Sequence, residues 1–323
     1  MSDLLDLHEL PKSAEVYMIV GWRQWADAGS ISSGLPQYLI QQSGARSIGK
    51  IKSESLYLFQ IPGTHDLVRP VVKFEQGYPV SMQNPRNEFF FSGDDRRGLV
   101  IFIGDEPHLG IEAYTAALLE AAQKLAVKRI VGLGGVYGAF PYDKERSISC
   151  TYSLPYMKEE LARYAVRFSD YHGGASIDSF LCKRAGEQNI EYLSFYGFVP
   201  AYDFSEATQP GGSIRIENDH MAWLAIMQRL HHMLDLEIDL TDLKLRAERL
   251  VSIVNEKITE LANTAPQLGI HEYLQQISAE YTELLFEPLE DIWEENVRRI
   301  LDRYDQNEGD SGHKNDFDQT SAL

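Results

Sequence analysis

Residues 16–30 read VYMIVGWRQWADAGS, and this stretch decides the prediction of the fold. Five apolar residues run directly into Gly21, a pattern typical of a strand that is covered on both faces. Two tryptophans, Asp27 and Gly29 follow before Ser30, so bulky and conformationally special residues come straight after the strand. The stretch therefore predicts a buried strand of a sheet whose carboxyl end leads into an unusual turn.

Similar runs recur along the first two thirds of the chain. The alternation of strands with long helices predicts βαβ units, and hence an α/β fold: a three-layer α/β/α sandwich with a mostly parallel central sheet. Residues 48–92 lack a helical pattern and predict antiparallel hairpins within or beside that sheet. The predicted strands are 16–20, 55–59, 88–91, 99–103, 129–133 and 191–199, and the predicted helices between them are 110–126, 154–168 and 175–188.

Strand patterns stop after about residue 215, and the rest of the chain predicts a C-terminal helical extension. The helical stretches are 218–236, 242–262, 270–285 and 289–305. The predicted organisation is thus an N-terminal lead-in (1–14), an α/β core domain (15–215), a helical region (216–305) and a disordered acidic tail (306–323).

Composition narrows the class of partner. The chain has 48 acidic and 30 basic residues and a net charge of −18, which repels phosphate backbones and anionic lipids. We therefore expect neither nucleic acid nor a membrane as partner. The start of the chain is acidic where a signal peptide would be basic, and no apolar run approaches the ~18 residues of a membrane span, which predicts a cytoplasmic protein. Neither Cys150 nor Cys182 has metal-ligand spacing, so no metal or cofactor is predicted.

Four of the predicted strands end in glycine or lead into it. The carboxyl ends of parallel strands line one edge of a sheet, where ligand crevices form, and glycine lets the backbone come close to a partner there. This edge is therefore the predicted ligand- or partner-binding site. Its candidate residues are Gly21, Trp22, Arg23, Trp25, Asp27 and Gly29 after the first strand, Gly104, Asp105 and Glu106 after the second, Gly134, Gly135, Tyr137 and Tyr142 after the third, and Tyr202 after Gly197 of the fourth.

Each of these residues also has a structural interpretation. Asp27 can cap the helix that follows it, and the two tryptophans can be packing lids. The segment GLGGVYG (132–138) departs by one residue from the dinucleotide-binding fingerprint, and the chain contains no P-loop, HExxH or GxSxG motif. No catalytic residue is therefore assigned, and the sequence favours a protein that is not an enzyme.

Taken together, the strand-end segments resemble the proteasome assembly chaperone 2 family. The segments are GWRQWADAGS (21–30), VIFIGDEPH (100–108), VGLGGVYGAFPYD (131–143) and YGFVPAY (196–202), and the resemblance covers roughly residues 15–235. It implies a sandwich similar to nucleoside phosphorylases and peptidyl-tRNA hydrolases, and homo-oligomers that are often trimers in bacterial members. Tyr142 and Ala201 stand where the family commonly has histidine, and the chain ends in SAL instead of the hydrophobic-Tyr-any-residue tail of proteasome-binding chaperones.

Three hypotheses of function remain open on the sequence alone. The first is a non-enzymatic, oligomeric, assembly-chaperone-like protein that binds itself and an unidentified protein partner. The second is a small-molecule enzyme or sensor, in which backbone N–H groups near Gly134 and Gly135, with Arg23 or Arg146, bind a nucleoside or a phosphate-type ligand. In the third, the glycine-rich edge is the oligomer interface, with Trp22 and Trp25 buried by a neighbouring copy.

Overall fold

Residues 3–59, 69–204 and 213–286 are described by the computed structural model. Within them lie twelve strands, which have the bounds β1 Leu5–Leu7, β2 Glu15–Arg23, β3 Arg46–Ile51, β4 Val71–Glu75, β5 Tyr78–Gln83, β6 Asn87–Gly93, β7 Arg97–Asp105, β8 Val127–Gly138, β9 Ile148–Tyr152, β10 Arg167–Phe168, β11 Glu191–Asp203 and β12 Ser213–Arg215.

Ten of these strands form one mixed sheet in the order β1-β3-β6-β7-β2-β8-β11-β9-β10, with β12 paired to β11. The four central strands β7, β2, β8 and β11 are parallel to one another. Strands β3 and β6 extend the sheet in antiparallel fashion on one side, as does β9 on the other. Strands β4 and β5 form a separate antiparallel hairpin. The mostly parallel core and the antiparallel additions from residues 48–92 confirm the sequence prediction.

The continuous apolar runs of the central strands follow from burial on both faces. In β7, Leu99, Ile101 and Ile103 pack into one hydrophobic core, and the alternate residues Val100 and Phe102 pack into the other. A strand that faces solvent on one side would alternate apolar with polar residues. The run LVIFI therefore indicates a sheet with helices on both of its faces.

Seven α-helices lie within the described residues: α1 Gly34–Ser43, α2 Ile111–Lys124, α3 Met157–Leu161, α4 Ile177–Glu187, α5 His220–Leu234, α6 Thr241–Thr264 and α7 Ile270–Glu280. Helices α1 and α5 contribute buried side chains to one core, and α2 and α4 contribute them to the other. The result is the predicted α/β/α sandwich. Helix α6 adds Leu243, Val254 and Ile258 to the core beneath α5, so the C-terminal helices pack on one face of the sandwich.

Two predicted elements are wrong. Residues 55–59 form a turn and irregular chain instead of a strand, because Leu56 is buried and its carbonyl accepts the N–H groups of His108 and Leu109. The helix predicted at 154–168 is only the short α3 followed by a 3₁₀ turn, after which Ala165 adopts a left-handed φ of 48° and the chain enters β10. The apolar period of this segment therefore overstates its helical length.

The sequence predicts separate domains, whereas the residues up to Leu284 form one compact unit. Within the predicted lead-in, β1 pairs with β3 at the edge of the sheet. Helix α7 ends at Glu280, shorter than the stretch predicted for it. The helix predicted at 289–305 and the disordered tail predicted at 306–323 lie outside the described residues.

Candidate functional site: the carboxyl edge of the parallel strands

The rim glycines, which we define as Gly21, Gly104, Gly134 and Gly197, come together across the four central strands. Gly104 pairs with Trp22, the neighbour of Gly21. Gly134 pairs with Tyr196, the neighbour of Gly197. The prediction that one edge of the sheet gathers these glycines is confirmed. Two of the strands do not end there, however, because β8 runs on to Gly138 and β11 to Asp203.

The motif loop, residues 24–33, folds back over this edge. Three of its residues other than glycine have positive φ angles: Gln24 at 97°, Ala26 at 53° and Ser30 at 50°. Such angles cost energy in residues with a side chain and persist where surrounding contacts enforce them. The N–H of Gly135 donates to Ala26 O at 2.6 Å, which ties the loop to β8.

Gly29, the last glycine of the motif, is the attachment point for helix α5. It has a φ of 63°, and its carbonyl accepts Trp223 Nε1 at 2.9 Å and the N–H of Asp219 at 3.0 Å. An added Cβ would lie 2.7 Å from the Cβ of Asp219. The motif loop is therefore clamped between β8 and the N-terminus of α5.

The glycines at this edge make room for protein atoms. A Cβ on Gly21 would lie 1.9 Å from Ser32 O, and one on Gly135 would lie 2.0 Å from Ala28 O. Both of these oxygens belong to the motif loop. A Cβ on Gly134 would meet the ring of Tyr196 at 2.4 Å. Because the loop occupies this space and takes the N–H of Gly135, the anion-binding role predicted for Gly135 is wrong.

Asp27 binds the two serines that lead into helix α1. Its Oδ1 accepts the N–H groups of Ser32 at 3.1 Å and Ser33 at 3.0 Å, and its Oδ2 accepts the Ser33 hydroxyl at 2.7 Å. Ser32 and Ser33 immediately precede α1, so the carboxylate fixes the turn that leads into that helix without capping the helix itself. Burial raises the pKa of Asp27, and the bonds from the two serines oppose that rise.

The two tryptophans of the motif lie in different environments. Trp22 is buried in the core, where its Nε1 donates to the Tyr114 hydroxyl at 2.7 Å. Trp25 is 59% exposed. The hypothesis that a neighbouring copy buries both rings is therefore wrong for Trp22, which its own chain covers, and stays open for Trp25.

Asp105 and Glu106 do not form an acid–base pair. Asp105 is buried, with Oδ1 2.6 Å from Arg23 Nε and Oδ2 accepting the N–H of Arg86. Glu106 points elsewhere and accepts the N–H of Ile177 at the start of α4 at 2.8 Å, while burial raises its pKa. Arg23, a candidate for binding an anion, is thus already paired with a carboxylate of the chain.

The three candidate tyrosines lie at separate places. The hydroxyl of Tyr137 donates to Ile216 O at 3.1 Å, and that of Tyr142 donates to Asn255 Oδ1 on α6 at 2.9 Å. Tyr202 is buried, and its hydroxyl donates to Phe140 O. These hydroxyl groups hold the segments after β8 and β11 in place, and the candidate residues do not converge on one reaction centre.

Sequence reasoning missed Asp178, a buried carboxyl group near this edge. It lies in the first turn of α4 and accepts the hydroxyls of Tyr192 and Tyr196. A Cβ on Gly132 would fall 1.8 Å from its Oδ1, so that glycine is what admits the carboxyl group. Burial raises the pKa of Asp178. Ser and Asp are common at the start of a helix. The sequence therefore carried no sign that Asp178 differs from an ordinary first-turn aspartate.

The space left at this edge is small. A cavity of about 10 Å³ lies among Trp22, Trp25, Ser32, Asp178 and Tyr196. That volume is at the threshold of about 10–15 Å³ for one water molecule and far below the several hundred Å³ of ligand pockets. Arg146 is also inaccessible to a ligand, because it is buried in an ion pair with Asp219. This cavity therefore has no room for a nucleoside or phosphate ligand, and Arg146 and the N–H of Gly135 are engaged within the chain.

The described parts of the chain contain no group of three or more His, Cys, Asp and Glu residues arranged to hold a metal ion. None of their helices is long and apolar enough to span a membrane. Both cysteines are buried and free.

The fold and this edge define a class: an α/β/α protein whose strand-end motifs lock a loop onto the sheet. The sequence model of the PAC2 family matches residues 21–258, and the chain belongs to this family. This confirms the resemblance to proteasome assembly chaperones drawn from the strand-end segments. No curated protein sequence matches the chain significantly.

Solved structures of similar fold include PAC2 proteins. A Mycobacterium tuberculosis proteasome-assembly chaperone homologue is 22% identical, with a TM-score of 0.63 over 77% of this chain and 98% of its own. A PAC2 family protein of Streptomyces avermitilis is 23% identical, with a TM-score of 0.63 over 80% and 99%. Pyrococcus furiosus PbaB, an archaeal proteasome activator, is 18% identical, with a TM-score of 0.54 over 78% and 97%. At these identities the likeness shows the shared fold.

Proposed function

We propose that this chain is a non-enzymatic, assembly-chaperone-like protein of the cytoplasm that forms a homo-oligomer, with a trimer favoured, and holds a second protein. Membership of the PAC2 family supports a chaperone-like role. The structural neighbours that are a proteasome-assembly chaperone homologue and a proteasome activator support a protein as partner. The motif residues Arg23, Asp27 and Gly29 are engaged in contacts within the chain, which favours a structural role over a catalytic one for them.

The observation that carries the proposal is the β4–β5 hairpin. Every residue of both strands is exposed, and the hairpin pairs with no other strand among the described residues. An isolated two-stranded hairpin is marginally stable in water at best. A hairpin of this kind gains stability when another surface covers it.

One face of this hairpin is apolar. Val72 pairs with Met82 and Phe74 with Pro79, and side chains of paired residues share a face of the ladder. Phe74 and Met82 are 58% and 62% exposed. The opposite face carries polar groups, including Lys73 paired with Ser81. A contiguous exposed apolar face of this kind marks an interaction surface.

A second copy of this chain is the occupant that fits the hairpin. Each copy has a net charge of −18, so copies repel one another wherever charged surfaces meet. The face formed by Val72, Phe74, Pro79 and Met82 has no charged side chain, which makes it a place where two copies can approach. A second copy is also present whenever the chain is synthesised, so the apolar face is covered without another gene product.

Light scattering coupled to size-exclusion chromatography tests the proposal. We expect the full chain at micromolar concentration to give about three times its 36.7 kDa mass. The variant Phe74→Ser/Met82→Ser should shift this mass toward that of one chain. Val71→Ser is the matched control, because Val71 is exposed on the other face of the same hairpin and should leave the mass unchanged.

Two results contradict the proposal. A full chain that is monomeric at micromolar concentration excludes self-association. An oligomer whose mass is the same in the double variant and the control excludes the hairpin as its interface. Exposed substitutions change stability by less than about 0.5 kcal/mol, so the variants should remain folded by circular dichroism.

A further inference from the structure

A second surface lies between helix α6 and the segment that contains β12. We define it as the basic groove: its walls are the exposed face of α6 and residues 214–218, and its volume is about 680 Å³. It is far larger than the cavity at the carboxyl edge and lies in the range of peptide and ligand pockets. Sequence analysis did not single it out, because the groove is formed by residues on two elements that are separated along the chain.

The floor of the groove is apolar. Ile214, Ile216 and Val254 are buried beneath it, while Leu245 and Ile253 of α6 are 61% and 43% exposed above it. Exposed aliphatic side chains above a buried apolar floor favour a partner that brings apolar groups of its own. A free inorganic anion would gain nothing from this floor.

The lining of the groove is positively charged in a protein that is strongly acidic overall. Four cationic side chains, Arg215, Arg246, Arg249 and Lys257, face two carboxylates, Glu217 and Asp242. Arg246 is paired with Asp242 at 2.7 Å. Arg249 and Lys257 form no ion pair with any residue in the described ranges. Since complementary charge selects partners and speeds their encounter, the groove favours an acidic partner.

The backbone of β12 adds a third feature. β12 pairs with β11 along one of its edges, and within the described residues no strand pairs with the other edge. Five consecutive residues, 214–218, line the groove. Of these residues, Ile214 and Arg215 belong to β12, and residues 216–218 lie outside any strand. An extended peptide in the groove can therefore pair with β12 only along this short stretch.

We propose that the basic groove binds an extended acidic segment of a partner protein, with aliphatic side chains on the floor and carboxylates against Arg249 and Lys257. This inference rests on the proposed protein-binding function and names a surface and a partner chemistry for it. The groove is separate from the hairpin assigned to self-association, so the two surfaces can be tested independently. Nucleic acid also carries negative charge, but it does not use an aliphatic floor and is repelled by the rest of the chain.

The test uses the full chain and a fluorescein-labelled peptide of alternating glutamate and leucine, with an alternating lysine and leucine peptide as the matched probe. We expect fluorescence anisotropy to show binding of the glutamate peptide that weakens as salt is raised, and weaker binding of the lysine peptide. The variant Arg249→Glu/Lys257→Glu should weaken binding of the glutamate peptide about tenfold or more. Lys50→Glu/Lys244→Glu makes the same change of net charge at exposed positions outside the groove and should leave binding close to that of the wild type.

Several outcomes would overturn the groove assignment: no binding of the glutamate peptide, equal binding of both peptides, or an equal loss in the two charge-reversal variants. Competition by inorganic polyphosphate as effective as that by unlabelled glutamate peptide would also overturn it, because the surface would then be a general anion site. Masses measured on the same samples separate the two proposals. Loss of the groove alone leaves the oligomer intact, and a monomer that still binds the glutamate peptide contradicts only the proposed self-association.

Discussion

Arg146 and Asp219 form an ion pair from which solvent is excluded. Arg146 Nε lies 2.8 Å from Asp219 Oδ2, and the two side chains are 1% and 0% exposed. Nη1 of the arginine also donates to the carbonyl oxygens of residues 141, 142 and 144. Oδ1 of the aspartate accepts the N–H groups of Met221 and Ala222 at the start of α5. The pair thus joins the loop after β8 to the helix that clamps the motif loop.

Replacing one partner of this pair should destabilise the protein strongly. Arg146→Leu leaves the Asp219 carboxylate buried without its counter-charge, a change that costs about 3–5 kcal/mol in other proteins. We expect the free energy of unfolding in urea to fall by that amount. Arg46→Leu removes an exposed ion pair with Glu9 and is the matched control, for which we expect no measurable change. Equal losses in the two variants would contradict the structural role of the buried pair.

The packing of the motif loop on β8 makes a second prediction. Gly135→Ala places a methyl group 2.0 Å from Ala28 O, a backbone atom that no side-chain rotation can move. We expect a loss of about 1–3 kcal/mol in the free energy of unfolding, the usual cost of forcing an extra methyl group into a packed site. Gly174→Ala is the control, since nothing lies within 4 Å of its Cβ position. Stability of Gly135→Ala equal to that of the control would mean that the loop does not pack there.

The packing of the motif loop on the glycines shows how much of the carboxyl edge could be predicted from the sequence. The strand runs before Gly21 and Gly104 predicted two neighbouring parallel strands correctly, because local hydrophobicity reports burial on both faces. The atoms that pack against the glycines of this edge could not be predicted from the sequence. Ser32 and Ala28 reach the glycines through a loop with three positive φ angles at residues other than glycine. The same sequence features that indicate a ligand crevice also indicate a loop that fills one.

The short helix α3 shows a second limit of sequence reasoning. Residues 154–168 have apolar residues at helical spacing, and Met157 and Leu161 are buried as such a pattern requires. The helix nevertheless ends early, where buried Arg229 of α5 donates to the carbonyl oxygens of Tyr164 and Ala165. A tertiary contact with a residue far along the chain decides this boundary, and periodicity carries no information about it.

Stability of the protein should depend on the protonation of Asp178. Burial raises its pKa in the folded state above the ordinary value of 3.8. Between pH 3.8 and the folded pKa, the unfolded chain has released a proton that the folded protein still holds. The contribution of Asp178 to stability therefore falls as the pH rises from 3.8 through the folded pKa. Asp178→Asn cannot titrate and lacks this decline.

Urea denaturation between pH 4 and pH 7 measures the effect as the unfolding free energy of Asp178→Asn minus that of the wild type. We expect this difference to rise with pH, by at most about 1.4 kcal/mol per pH unit, and to level off above the folded pKa. Asp94→Asn is the control of opposite sign, because the N–H groups of Arg97 and Arg96 lower the pKa of Asp94. The stability that Asp94 contributes is fully present above pH 3.8. The unfolding free energy of Asp94→Asn minus that of the wild type should therefore stay flat in this pH range. A flat difference for Asp178→Asn as well would show that the buried carboxyl group is already ionised at pH 4 in the folded protein.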